Sequence, residues 1–378
     1  MTELFNLNID YITIPNPIAT SAMAGTTCAA FLNNVAADAG IVTIGGFSID
    51  GVTIAASKSI QAAGRLEFIS DTPMELIKSE LEHIAIPAAV VVNVRSATIE
   101  PLMEAALIVK EAGGILEIDA HCQQEAMMDA GAGQALLFDV DKLTSWVSKI
   151  KKTGVVLSVK FRAGIVDDAG LCRRLEEAGA DIVHIDAMIE GGGNNPVVIR
   201  KVRDATDLFI IANNSICDFE SAKDMFSHGA DMVSVARAMV ANAGVVSGLV
   251  DAVTQFQQAT GWYNAPKHIC GGGDLRALAF CCLPVKPCAV HNALKRVGLS
   301  AQEFADMKME FVRGTPLDAG KSTCFGSFAW CCKITKPCFM RDGNLSQAGL
   351  GDVEYSRLKK EMSEYILKKV KSKQKHYG

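Results

Sequence analysis

The sequence predicts an α/β protein, a closed (β/α)8 (TIM) barrel followed by a small cysteine-rich domain. Eight short apolar runs rich in β-branched residues alternate with helix-like stretches over the first 260 residues. Such runs are typical of parallel strands that are covered on both faces. Eight strand–helix units in about 240 residues match a barrel, whereas an open doubly wound sheet, the alternative, has fewer strands and a glycine-rich fingerprint. Eight of the twelve cysteines follow residue 260.

The eight strands are IATSAM (18–23), IVTIGG (41–46), AVVVNV (89–94), GILEIDA (114–120), VVLSVKF (155–161), IVHIDA (182–187), LFIIAN (208–213) and MVSVAR (232–237). Amphipathic segments between them predict helices, and the segment 168–181 contains a glycine where the helix should end. In the loop at 190–196, Asn195 before Pro196 predicts a capped helix start. This loop is compatible with a cover over a site, an anion-binding turn or a plain connector.

Polar side chains stand where the predicted strands end, which is where a barrel carries its chemistry. They are Asn93, Arg95, Asp119, His121, Cys122, Lys160, Arg162, His184, Asp186, Asn213, Asn214 and Arg237. Each has a structural explanation when taken alone, such as a salt bridge for an arginine or a satisfied buried position for His184. A set of mixed charge at one end of a barrel predicts an active site.

Six stretches resemble, in order, motifs of the FMN-binding barrel of dihydrouridine synthases and dihydroorotate dehydrogenases. Ala22-Met23-Ala24-Gly25 stands in place of the family's Pro-Met-Ala-Gly turn. The family's strand-4 motif, Asn-x-Gly-Cys-Pro, is similar to residues 119–123, which include Asp119 and Cys122. The other four stretches are Val159-Lys160-Phe161-Arg162, Val183-His184, Asn213-Asn214-Ser215-Ile216 and Ala236-Arg237-Ala238. The resemblance spans roughly residues 15–250.

The resemblance implies that FMN lies across the carboxyl end of the barrel. The cofactor-binding residues it implies are Ala22, Met23, Asn93, Lys160, His184, Asn213, Asn214, Ala236 and Arg237. Lys160 and His184 would contact the isoalloxazine and ribityl region, and Arg237 with backbone N–H groups would hold the phosphate. The catalytic residues it implies are Cys122, Lys160 and Asp119, with Cys122 as the general acid. A small buried residue after a strand is the alternative for Cys122.

Several positions depart from the family pattern. Asn214 replaces a glycine, which is tolerable because asparagine is enriched at positive φ. Asp119 replaces an asparagine, so a group that donates and accepts becomes an acceptor or a charge. Gln123 replaces the proline after the cysteine. These changes argue against uridine in tRNA as the default substrate.

The cysteines after residue 260 form two sets of four. CCLPVKPC (281–288) and CCKITKPC (331–338) are each preceded by one further cysteine, and the eight are Cys270, Cys281, Cys282, Cys288, Cys324, Cys331, Cys332 and Cys338. Neither set contains the C-x2-4-C spacing of zinc knuckles, so iron–sulfur clusters of the [4Fe–4S] type are favoured over zinc. Redox thiols or structural cysteines are also compatible with the pattern. This region resembles a cysteine-rich domain of methanogenic archaea, that of the methanogenesis marker protein 9 family.

Three domains are predicted: an FMN-binding barrel over 1–260, a cysteine-rich domain over 261–350 and a basic helical tail over 351–378. The tail, from Arg357, has eight Lys or Arg against two Glu, with apolar residues at helical spacing at Leu358, Met362, Tyr365 and Ile366. It is compatible with binding to nucleic acid or an acidic partner, but a solvated helix end is more typical of such a pattern. No signal peptide or membrane span is predicted, which indicates a cytoplasmic protein.

These features predict a flavin-dependent oxidoreductase that acts on a small unsaturated or heterocyclic substrate. Its iron–sulfur clusters would exchange electrons with a protein donor or acceptor. A tRNA-dihydrouridine synthase with Cys122 as general acid is a second candidate, which is not favoured because no basic helical tRNA-binding domain is evident. A flavin-free phosphate-binding lyase or isomerase that uses Lys160 is a third candidate, and a cluster-carrying assembly factor is a fourth.

Overall fold

The computed structural model describes residues 6–188, 192–206, 208–260, 298–318, 345–346 and 348–376. It divides into two compact units, one of which contains residues 6–251 and the other residues 252–378. The eight cysteines predicted to bind metal lie outside the described residues. The predicted cysteine-rich domain therefore stays a prediction.

The first unit is a closed parallel barrel, as the sequence predicts. Ten strands are described: β1 (Leu7–Ile9), β2 (Ile12–Ile14), β3 (Ile18–Thr20), β4 (Ile41–Ser48), β5 (Ala89–Arg95), β6 (Ile115–Ala120), β7 (Val156–Arg162), β8 (Ile182–Asp186), β9 (Phe209–Asn213) and β10 (Met232–Val235). The barrel runs β3 to β10 in chain order and closes between β10 and β3. Its register places Asp119 opposite Lys160 and Lys160 opposite His184, so three predicted site residues share one level.

Helices lie between the strands of the barrel and after its last strand. They are α1 (Ala29–Val35), α2 (Gly51–Ala62), α3 (Pro73–His83), α4 (Glu100–Glu111), α5 (Glu125–Asp129), α6 (Val140–Lys151), α7 (Asp168–Ala178), α8 (Pro196–Ala205), α9 (Phe219–Ser227), α10 (Ala238–Ala241) and α11 (Val245–Thr260). The predicted start of α8 is confirmed, because the Asn195 side chain accepts a hydrogen bond from the Val197 N–H and Pro196 is the first helical residue. Gly179, in the left-handed region at φ 97°, ends α7 as predicted.

A β-hairpin that the sequence reasoning did not predict closes the amino end of the barrel. It is formed by β1 and β2, which pair antiparallel around a turn at Asp10, whose φ is 51°. Its apolar side chains, Leu7, Ile9, Ile12 and Ile14, pack against the first residues of the barrel strands. Since apolar residues alternate with other residues in LNIDYITI, a period-2 pattern was the available signal.

The described part of the second unit is helical. Helix α12 (Ala301–Val312) begins with a capping box between Ser300 and Glu303. Helix α13 (Asp352–His376) buries Leu358, Met362 and Ile366. Among the described residues, no helix is both long and apolar enough to cross a membrane.

Candidate active site

A cavity of about 710 Å³ opens at the carboxyl ends of the barrel strands. The structure brings together there nearly all of the predicted barrel site residues. Those that line it are Ala22, Met23, Asn93, Asp119, Cys122, Lys160, Asn213, Asn214, Ala236 and Arg237, joined by Arg95, His121, Arg162 and Asp186. The volume lies within the usual range for small-molecule and cofactor sites.

A buried carboxylate organises the floor of this cavity. Glu117, on β6, accepts hydrogen bonds from Asn93 Nδ2 at 2.8 Å and from Ser158 Oγ at 2.9 Å. His184 Nδ1 lies 2.9 Å from the same carboxylate, and its Nε2 lies 2.7 Å from Ser234 Oγ. All five side chains are buried. They form the floor network beneath the predicted flavin position.

The floor network shifts the pKa values of Glu117 and His184. Burial alone would raise the pKa of Glu117, but His184, and then Lys160 and Asn93, lower it to about 2. Burial lowers the pKa of His184, an effect that Glu117 only partly offsets. Lys160, whose Nζ donates to Ser21 Oγ, adds to the stabilisation of the Glu117 carboxylate.

His184 lies in the floor network and not among the side chains that line the cavity. Both of its ring nitrogens are engaged, one by Glu117 and the other by Ser234. The sequence predicts a direct contact between His184 and the cofactor. In the structure, the imidazole instead contacts Glu117 and Ser234.

Asp119 lies near the end of β6, and Cys122 lies in the loop that follows. Asp119 Oδ1 accepts the backbone N–H groups of His121 at 2.8 Å and of Cys122 at 3.0 Å. The aspartate therefore orders the turn that presents the thiol, a task that an asparagine oxygen performs equally well. Burial raises the pKa of the Cys122 thiol, and Asp119 adds to the rise while Arg95 opposes it. The thiol is protonated at neutral pH, as a general acid requires.

Arg95, at the end of β5, is buried beside that thiol. Its guanidinium pairs with the buried carboxylate of Glu67 and donates to the Gly46 carbonyl at 2.7 Å. Its Nη1 lies 3.8 Å from Cys122 Sγ. Arg95 thus joins two loops of the site and places a positive charge against the sulfur.

A second polar cluster lies on the other side of the cavity. His121 Nε2 lies 2.6 Å from Asp186 Oδ2, and Asn214 Nδ2 donates to Asp186 Oδ1 at 2.8 Å. Arg162 Nη2 is 3.7 Å from Asp186. Burial would raise the pKa of Asp186, but the hydrogen bond with His121, with help from Asn214 and Arg162, holds it well below its usual range. Asp186 is therefore an anion that orients the His121 ring.

Two buried polar atoms beside Gly46 lack a hydrogen-bond partner among the described residues. They are Asn93 Oδ1, left over because Nδ2 donates to Glu117, and Arg95 Nε. A Cβ on Gly46 would lie 3.1 Å from Asn93 Oδ1 and 3.5 Å from Arg95 Nε. The glycine therefore keeps open a space where an acceptor and a donor converge. A ligand edge that carries an N–H next to a carbonyl would satisfy both atoms.

The loops after β9 and β10 form the far end of the cavity. Asn214 and Ser215 both have positive φ, at 102° and 54°, which confirms that asparagine can occupy the place of the family glycine. Arg237 is exposed at the start of α10. Backbone N–H groups and an exposed guanidinium are suited to a phosphate group.

Sequence reasoning missed the residues that support the predicted ones. Glu117, Ser158 and Ser234 stand inside apolar runs, and a polar residue within such a run was the available signal. Glu67 had no such signal, because it lies in a loop far from Arg95 in the chain. Among the described residues, no group of three or more His, Cys, Asp or Glu side chains could hold a metal ion.

Comparison with known proteins agrees with this geometry. The family model for dihydrouridine synthase (Dus) matches residues 71–270, just over half of the 378 residues. Two uncharacterized proteins of Methanocaldococcus jannaschii are similar to the chain. One is 53% identical over 108 residues, which are 29% of this chain and 70% of that protein. The other is 30% identical over 233 residues, which are 59% of this chain and 89% of that protein.

Among solved structures, DHODH of Eimeria tenella in complex with ferulenol has a similar fold. The TM-score is 0.53 at 14% identity, and the match covers 69% of this chain and 86% of that one. An identity this low supports the barrel fold alone. The family match, together with the closed parallel barrel, shows that the chain belongs to the dihydrouridine synthase family and is an FMN-dependent oxidoreductase of that type.

Proposed function

We propose that the protein transfers hydride between FMN and a small unsaturated or heterocyclic substrate, with Cys122 as the proton donor. The observation that carries this proposal is that a thiol kept protonated lines the same cavity as the Lys160 ammonium. When bound, FMN supplies the hydride chemistry. The substrate then needs a proton at a neighbouring atom, and the Cys122 thiol is positioned to give it.

The residues around the cavity fit FMN. The pyrimidine edge of a flavin carries an N–H between two carbonyl groups, which suits the unpaired Asn93 Oδ1 and Arg95 Nε beside Gly46. Lys160 offers a cation to the same part of the ring system, with Ala22 and Met23 beside it. The loops at Asn213–Asn214 and Ala236–Arg237 would hold the phosphate. His184 supports this arrangement from below through Glu117 and Ser234.

Asp119 differs from the family asparagine in what it offers a substrate. Its Oδ1 is occupied by two backbone N–H groups, and the rest of the carboxylate can accept but not donate while it is ionised. We therefore expect the substrate to present a hydrogen-bond donor toward Asp119. A carbonyl group of the substrate would be poorly suited to this position, because it cannot donate a hydrogen bond.

We further propose that the eight cysteines after residue 260 bind iron–sulfur clusters of the [4Fe–4S] type. The clusters would pass electrons one at a time between a protein partner and the flavin. The two CC-x5-C repeats support this proposal, because cluster ligation accepts varied cysteine spacings whereas structural zinc sites favour short knuckles.

The test is purification without oxygen, followed by the visible spectrum and assays of released FMN, iron, sulfide and zinc on one sample. We expect bound FMN together with iron and acid-labile sulfide, and a broad absorption that dithionite bleaches. Zinc without iron would overturn the electron-transfer part of the proposal. Absence of flavin from protein purified in FMN-supplemented buffer would overturn the proposed chemistry.

The family match favours a second candidate, reduction of uridine in tRNA. The basic tail from Arg357, with eight Lys or Arg against two Glu, is compatible with contact to a nucleic acid backbone. Dihydrouridine content of tRNA from a strain that lacks the gene distinguishes the two functions. Loss of one dihydrouridine position would support the tRNA activity, whereas unchanged tRNA would leave the small-molecule substrate as the proposal.

A further inference from the structure

Arg95 is a buried cation, and its contacts hold the guanidinium in a position that the stability of the barrel does not by itself require. Its side chain is only 2% exposed, so a full positive charge is held away from water. The Glu67 carboxylate pairs with it, and the Gly46 carbonyl and Ser57 Oγ accept from its Nη2. These contacts fix the guanidinium plane. The other terminal nitrogen, Nη1, lies 3.4 Å from Glu67 Oε1 and 3.8 Å from Cys122 Sγ.

Cys122 meets an apolar surface on its other side. Ala56 and Ile60 of α2 and Met127 of α5 form a buried cluster against which Cys122 packs. The charged groups that face the sulfur from the described elements are Arg95 and Asp119, with Glu67 behind Arg95. An uncompensated thiolate would be unstable in such surroundings, because charge is costly where water is excluded.

We propose that Arg95 is a positioning residue for the proton donor, balancing the negative charge that the Cys122 sulfur acquires when its proton leaves. In that step the S–H bond breaks, the proton goes to the substrate, and the bonding pair stays on sulfur as a thiolate. A solvent proton later restores the thiol. Glu67 sets the strength of the effect, because its carboxylate neutralises part of the Arg95 charge. The proposal rests on the proposed role of Cys122.

The test measures the thiol itself and needs no substrate. Purified protein is alkylated with iodoacetamide under argon across a range of pH, and modification of each cysteine is followed by peptide mass spectrometry. The exposed Cys217 serves as the internal reference within each sample. The variants are Arg95→Gln, Arg95→Lys and the nearly isosteric Glu67→Gln. Circular dichroism and thermal unfolding establish that each variant is folded.

Arg95→Gln should slow alkylation of Cys122 about tenfold at neutral pH, since one pKa unit changes the thiolate fraction tenfold. The rate of Cys122 alkylation in Arg95→Lys should lie between the rates in Arg95→Gln and in the unaltered protein. Glu67→Gln should act in the opposite direction and raise the rate severalfold, because it frees the arginine charge. Cys217 should not change in any of them.

A purely structural role for the pair predicts a different result, because loss of either partner would loosen the loops and expose the thiol. Faster alkylation in both Arg95→Gln and Glu67→Gln would therefore overturn the proposal, as would pH profiles identical to that of the unaltered protein. Failure of the proposed function would appear separately, as activity that survives Cys122→Ala, and would leave the alkylation result intact.

Discussion

At the scale of single residues, the Glu117 carboxylate links neighbouring strands of the barrel through Asn93, Ser158 and His184. Its pKa is lowered to about 2 in the folded protein, from 4.5. A depressed carboxyl pKa contributes stability that is present above the unfolded value and is lost as pH falls through the folded value. Glu117 therefore stabilises the barrel above pH 4.5, and the contribution disappears toward pH 2.

Glu117→Gln should lower the free energy of unfolding by about 3 kcal/mol at pH 7, because the amide cannot balance Lys160. The difference from the unaltered protein should shrink as pH falls below 4.5. Urea unfolding followed by circular dichroism at several pH values measures it. Glu220→Gln, at an exposed carboxylate that pairs with Lys223, is the control and should change stability by less than about 0.5 kcal/mol. A difference that stays constant down to about pH 3 would contradict this account.

Lys160 is the residue on which cofactor affinity should depend most. Lys160→Met removes a buried charged donor that lines the cavity, and hydrogen bonds to charged groups are worth about 1.5–3 kcal/mol. The dissociation constant for FMN should therefore rise by roughly 10- to 100-fold. Titration with FMN, followed by quenching of flavin fluorescence, measures it. Lys58→Met, at an exposed lysine that pairs with Asp71, should leave the constant unchanged.

At the scale of elements, the loop after β9 depends on a side chain that tolerates positive φ. Asn214→Ala should destabilise the protein by about 1–2 kcal/mol, because alanine is strained at φ 102° and the hydrogen bond to Asp186 is lost. Asn214→Gly loses only the hydrogen bond and should therefore destabilise the protein less than Asn214→Ala does. Thermal unfolding compares the two. The exposed Asn34→Ala is the control, and equal destabilisation by Ala and Gly would show that backbone strain plays no part.

The barrel strands could be predicted from the sequence because their signal is local: each is a continuous apolar run, and the structure begins every one within a residue of its predicted start. The residues at the strand ends could be predicted to lie together, because the topology of a parallel barrel brings the carboxyl ends of its strands to one end of the barrel. Pairings between distant loops could not be predicted. Glu67 and Arg95 are partners only because the loop after α2 folds over the cavity, and no residue pattern records that. The hairpin of β1 and β2 was missed because each strand has only three residues.

At the scale of the whole molecule, the proposal divides the two redox centres between separate parts of the chain. Cys282→Ala or Cys332→Ala should lose iron while FMN content stays unchanged, since none of the barrel side chains around the cavity is altered. Iron and flavin assays on anaerobically purified variants measure this. Cys28→Ala, at a half-buried barrel cysteine that does not line the cavity, should retain both. Unchanged iron in the first two variants would show that these cysteines are not ligands.

The hairpin that closes the amino end of the barrel has a kinetic consequence. Because Leu7, Ile9, Ile12 and Ile14 fill that end, molecules reach the flavin position from the carboxyl side. A substrate and a diffusible reductant would then occupy the same space in turn, and steady-state rates would follow a ping-pong pattern with parallel double-reciprocal lines. Electrons that arrive through the protein need no vacant site, so a cluster-fed flavin could be re-reduced while product is still bound.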